Sequence, residues 1–367
     1  MINRRAFACA SLATVACWKR RATGFPGYAF VANRGENSVA AVDLTSFLVA
    51  RQIRLEASPE AAVAHAPRRA VYVATPQSRW IYEIDAVALT VRQRLTVPGF
   101  VVAMQPSSDG DSLWVLARSP NALVRVLLGR FSVAQRIKLP ASPDSFDLDH
   151  DGDHAVVSLP DTQSIAILDL ARSSVERTAP AGDDPRTVRF RLDGRQILVA
   201  NRSRRMLTIV DANTADILVH LPVPVSPEHF CVKADGGQLF VSGEGMDAVV
   251  VVHPYQTEVH ETVLAGHAPG VMAISQTPEL LFVTNPASGA VTVLDVDTRN
   301  VMAAVQVGQA PCFVTFTPDS QYALVVNQRS GDLAVIRIPA IKQSRSKTAA
   351  LFTMIPVGTE PVCAAVV

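Results

Sequence analysis

The chain has 367 residues, 49% apolar and 18% charged, with 24 prolines and 19 glycines, a composition that supplies a core and many reversals and excludes a disordered polymer. Thirty-four basic side chains face 33 acidic ones, a formal net charge of +1, so the concentrated positive field needed for general nucleic-acid binding is missing.

Residues 1–22 differ in kind from the rest. Met1 to Arg5 is short and basic, Ala6 to Ala16 is small and apolar, and Trp18 to Arg21 is basic again. That order is the one expected of an export leader, with a disordered tail as the alternative. Asn3-Arg4-Arg5-Ala6-Phe7 resembles a twin-arginine signal, and Cys17 after Thr14-Val15-Ala16 makes a poor lipoprotein box. Export predicts a periplasmic or secreted protein. Without the leader's five basic residues, 29 basic side chains face 33 acidic ones, a net charge of −4. No later run is long and apolar enough to span a bilayer. Cys231, Cys312 and Cys363 are too few and too scattered for a disulfide framework, so they read as small buried hydrophobes.

From residue 23 to the end the chain repeats itself every 42 residues or so. YAFVAN from Tyr28, VYVATP from Val71, ILVANR, LFVTNP and YALVVN from Tyr322 fall in register. One column runs Asn33, Thr75, Ala117, Leu159, Asn201, Gly243, Asn285, Asn327, and a second runs Asp43, Asp85, Leu127, Asp169, Asp211, His253, Asp295, Arg337. Polar turn residues returning at a fixed offset mark a true repeat and not a chance match of apolar runs. Each unit reads as four short strands rich in Val, Ile, Leu and Phe, with no sustained helical period. In the seventh the strands are Leu281 to Thr284, Ala290 to Asp295, Val301 to Val307 and Cys312 to Phe316. Asp-Gly pairs at 109, 151, 193 and 235 suit tight reversals, and strand-end aspartates suit turns that capture backbone N–H groups.

A small four-stranded sheet exposes two apolar faces, and radial packing of many such sheets buries both. The predicted fold is therefore an all-β, single eight-bladed β-propeller over residues 23–367, with seven blades as the alternative. The chain starts at a turn, Pro26-Gly27, and ends on an inner-type strand, Cys363 to Val367. The last strand is thus expected to complete the blade begun by Tyr28, after an insertion around Lys342 to Thr348.

YAFVANRGENSVAAVDL at Tyr28 to Leu44, and Leu281 to Gln321, resemble the YVTN family of β-propeller repeats. The resemblance covers nearly everything after the leader and implies an exported bacterial protein. It also implies a broad likeness to lactonases, to quinoprotein-like propellers and to haem-binding nitrite-reductase propellers, among which fold alone does not choose.

In such a ring the loops leading into the inner strands gather at one mouth of the central channel. Glu60, Asp144 and Glu228 hold equivalent places there, but two blades apart they are too distant to share one metal ion. Arg34, Arg118 and Arg202 share a second column with Arg186 close by, and together they could grip a carboxylate or phosphate; pairing with Glu36, Glu60 or Asp184 is the alternative. His229 and His267 lie nearest the mouth. No HExxH, EF-hand, CxxCH, GxSxG or phosphate-binding loop is present. The sequence therefore predicts a monomeric, non-enzymatic binding module, with no cofactor or metal, for a small anionic molecule or an exported protein. A lactonase-like hydrolase using Glu60, Arg186 and Glu228 is the rival.

Overall fold

The β-branched and aromatic runs form 32 strands among the described residues, which are 24–341 and 350–367 of a computed structural model. The leader and the insertion around Lys342 to Thr348 lie outside them. The strands make eight antiparallel four-stranded sheets. From inside outward the seventh contains Met272–Ile274, Leu280–Asn285, Ala290–Asp295 and Val301–Gln306. Each inner strand touches the inner strands of the sheets before and after it, and the circuit closes. The sheets are thus eight blades around one channel, as the repeat count predicts.

Closure falls where the two ends of the repeat array require it. Pro361–Val366 pairs antiparallel with Tyr28–Asn33, setting Phe30 opposite Ala365 and Val31 opposite Ala364. Among the described residues helix is confined to single turns, including Pro76–Ser78, Pro160–Thr162 and Ile338–Ile341.

The two middle strands of each blade are buried almost throughout, whereas outer strands such as Glu258–Leu264 alternate between half-buried and exposed. Apolar clusters lie between blades. Tyr72 and Ile81 of the second blade, for instance, pack against Leu113, Val115 and Val124 of the third. Burying both faces in this way is the main apolar driving force of the ring.

The two polar columns act locally, each for its own reason. Asp43, Asp85, Asp169, Asp211 and Asp295 accept backbone N–H groups two or three residues ahead, at 2.7–2.9 Å. The N–H groups of Ala88 and Val87, with the Arg92 guanidinium, lower the Asp85 pKa to about 2. The Asn column is buried: the side-chain amide of Asn201 donates to Thr208 Oγ1 at 2.6 Å, that of Asn285 to Thr292 Oγ1 at 3.0 Å and that of Asn33 to Val357 O at 2.8 Å.

These asparagines need a glycine beside them. Gly266, at φ +97°, lies so close to Asn285 that a Cβ would meet its Oδ1 at 2.4 Å, and a Cβ on Gly182, Gly308 or Gly358 would crowd Asn201, Asn327 or Asn33 in the same manner. Blades that lack the asparagine, with Ala117, Leu159 or Gly243 in its place, carry Pro98, Pro140 or Pro224 where the glycine would be. The amide and the missing Cβ are one steric unit.

Candidate functional site at the channel mouth

The loop after each second strand lies against the loop that leads into an inner strand. Arg34 N donates to Glu360 O and Gly35 N to Thr359 O, both at 3.0 Å, and Arg202 N donates to Asp184 O at 3.2 Å. The hydroxyls of Ser58 and Ser226 close the same contact between blades by donating to the carbonyls of Arg34 and Arg202. The mouth is therefore a collar of backbone-tied loops from which side chains project.

A charged belt runs along this collar from the third blade to the sixth. Arg118 donates from Nε to Pro143 O and from an Nη to Asp144 Oδ1, each at 2.6 Å. Arg186 approaches the same Asp144 oxygen at 3.5 Å and Asp184 Oδ1 at 2.6 Å. Arg202 pairs with Glu228 at 2.7 Å and reaches Glu244 at 3.7 Å. Arg34 stands apart in the first blade and pairs with Glu360 at 3.4 Å, so its partner is neither Glu36 nor Glu60. The four guanidinium side chains are each about 40% exposed, held in place by acids yet still open to water.

Asp144 is thus brought together with Arg118 and Arg186, and Glu228 with Arg202. Glu60 is exposed in the second blade, on the opposite side of an eight-membered ring from Glu228 in the sixth. Beside Glu228 an open cleft of about 680 Å³ is lined by Glu228, His229, Glu244, Asp247, Gly270 and Pro286, among others. Burial depresses the pKa of His229, against the pull of Glu228, and favours the neutral imidazole. His267 is exposed and lies 3.1 Å from Asp247.

Below the collar lies a polar stripe that motif searching does not reveal. Gln105, Asp147, Arg189 and Cys231 occupy one register on the inner strands of the third to sixth blades, where the other four blades carry Val63, Ala273, Thr315 and Ala365. Asp147 Oδ2 accepts from Phe190 N at 2.9 Å. Burial raises its pKa, opposed by Arg189, by the Phe190 N–H and by Gln105. Arg189 donates to Val188 O at 2.9 Å and to Phe146 O at 3.4 Å. Reading the inner strand at the same 42-residue offset as the turn columns would have found this stripe. Burial pushes the thiols of Cys231 and Cys363 up to about 12 and that of Cys312 to about 11, which makes poor nucleophiles of them at neutral pH.

Fold and site together define an eight-bladed propeller with a charged mouth above a polar stripe on the inner strands of the third to sixth blades. No protein-family model matches the chain, and no curated protein does. Solved structures share the fold. A dihydro-heme d1 dehydrogenase, NirN, in complex with DHE is 17% identical at a TM-score of 0.73, over 92% of this chain and 75% of that one. The Kuenenia stuttgartiensis hydrazine synthase is 19% identical at 0.59, over 89% and 99%. A functionally unknown protein from Desulfotomaculum acetoxidans is 11% identical at 0.62, over 93% and 98%. At such identities the likeness is one of fold.

Proposed function

We propose that the chain is an exported binding propeller that presents its channel mouth to a small anionic ligand, or to an exported protein whose acidic group takes the same seat. The observation that carries this reading is the convergence of Arg118 and Arg186 on Asp144. Two guanidinium groups from different blades are held around one carboxylate, and each guanidinium has five N–H donors. Arg118 spends only its Nε and one Nη in the two bonds above, so donors remain for a second carboxylate or a phosphate. Arg202 and Arg34 extend the same collar.

The fold is compatible with such a role, since the similar dihydro-heme d1 dehydrogenase is in complex with DHE. The YVTN-like strand-and-turn motif and the basic, apolar, basic order of residues 1–22 support export. Amino-terminal sequencing of protein from the native host is expected to begin after residue 22, and an intact Met1 in the cytoplasmic fraction would contradict it.

Ligand binding is tested by thermal shift of the mature protein against dicarboxylates, lactones and haem. A dicarboxylate at about a hundredfold excess over its Kd is expected to raise Tm by about 5 °C, from roughly 2.7 kcal/mol of linkage. Arg118→Gln with Arg186→Gln should remove that shift. If no anion stabilises the protein, or the shift survives in the double variant, the mouth is not the site. If a lactone is consumed, and Glu60→Gln or Glu228→Gln stops its consumption at unchanged Tm, the protein is a hydrolase instead.

A further inference from the structure

At its outer hairpin the sixth blade, like the third with Leu127 and the eighth with Arg337, departs from the aspartate of the other blades, and it alone places a histidine there. Where the second blade has Asp85 and Arg92, joined at 2.7 Å, the sixth has His253 and His260. The fold brings these two positions together in both blades. In the sixth their imidazole rings stack with centroids 4.3 Å apart and planes 13° from parallel. A third group joins them, because Glu258 is paired directly opposite His253 across the hairpin.

The consequence is chemical. An Asp–Arg pair is self-neutralising, but two imidazoles in contact gain nothing from each other electrostatically, and protonating both places like charges together. His253 also gives up the turn bonds that Asp43, Asp85 and Asp295 make at this position. What the exchange provides is a donor set. One ligand atom each from His253, Glu258 and His260 lies within 4.8 Å of the other two, the sole such group among the described residues. Ligands around a tetrahedral Zn²⁺ with bonds of about 2.1 Å stand roughly 3.4 Å apart. Glu258 and His260 are exposed, so modest side-chain rotations close the difference. Glu261 lies 3.8 Å from His260 Nε2, but its Oε1 is taken up by Arg299, so it is a neighbouring charge and not a partner of that ring.

We propose that His253, Glu258 and His260 form a binding site for a borderline divalent ion, Zn²⁺ above all, with a water in the fourth position. Two nitrogens and one carboxylate oxygen suit Zn²⁺ and disfavour Mg²⁺ and Ca²⁺, which take oxygen ligands. The hairpin lies at the outer edge of its blade, at the opposite end of the strands from the mouth, so the site is independent of the function proposed above.

Isothermal titration of the full-length protein with zinc chloride tests it. One equivalent is expected to bind, Mg²⁺ and Ca²⁺ are not, and Zn²⁺ should raise Tm. His253→Ala and His260→Ala should each weaken binding more than about tenfold, and Glu258→Gln by less. His260→Ala is a surface change that should leave the metal-free Tm unaltered, so it tests the site even if His253→Ala folds poorly. Lack of Zn²⁺ binding by the wild type, or one-equivalent binding of unchanged affinity in His260→Ala and Glu258→Gln, would overturn the assignment. Replacing Cys231, Cys312 and Cys363 by Ser should leave it intact, and loss of binding there would place the ion on the thiols.

Discussion

A chain ending at Glu360 is expected to lose its cooperative fold. Pro361–Val366 is the inner strand of the first blade, and Cys363, Ala364 and Ala365 on it are buried. Its removal strips the pairing from Phe30, Val31 and Ala32 and leaves a bare strand edge facing the channel. It also breaks the circuit, because this strand is the contact between the inner strands of the eighth and second blades. In a ring each blade covers its neighbours' apolar faces, so one breach exposes two interfaces as well as one edge. The loss is on the order of the whole folding free energy of a domain, about 5–15 kcal/mol. Circular dichroism and thermal melting of the truncated protein should show no sharp transition; a melt within a few degrees of the full-length protein would show that the other seven blades hold the ring without it.

Arg92→Met is expected to cost about 3 kcal/mol. Its partner Glu83 lies on a middle strand of the second blade with its side chain only 1% exposed. Both carboxylate oxygens are satisfied, one by Arg92 and one by Gln93, each at 2.6 Å. Removing Arg92 leaves a buried carboxylate with half its partners, and breaking such a pair from one side costs about 3–5 kcal/mol. The lower end applies because the Arg92 side chain is itself 37% exposed, so water can replace part of what it donated. Glu83→Leu combined with Arg92→Met should recover most of the loss, since no unpaired charge stays buried. Urea unfolding of the single and double variants measures both. A double variant as unstable as Arg92→Met would show that Arg92 contributes packing and not charge compensation.

The ring and its blade number were legible in the sequence because a repeat protein writes its tertiary contacts periodically. The turn aspartates and the Val-rich middle strands recur at one offset, and strand pairing within a blade is local in sequence. The closure was legible for a related reason: an array that starts at a second strand and ends on an inner one has a single place to put its last segment. Even the coupling of Asn285 to Gly266 is present in the letters, as glycine in the blades with a buried asparagine and proline in three of the others. Only the structure explains it, by showing the glycine backbone against the amide.

Side-chain partnerships between blades were not legible. The column Arg34, Arg118, Arg202 is uniform in sequence, yet one member pairs within its own blade, with Glu360, and the other two with acids of the next blade, Asp144 and Glu228. The choice depends on a few ångströms of loop position and on which acid a neighbouring blade offers, and neither has a period. The same holds for Asp147 beside Arg189 on the channel wall and for His253 beside His260 on the hairpin. Backbone hydrogen bonding repeats with the chain and so determines the fold from sequence, whereas the chemistry depends on substitutions unique to single blades, whose meaning appears only when the ring sets them side by side.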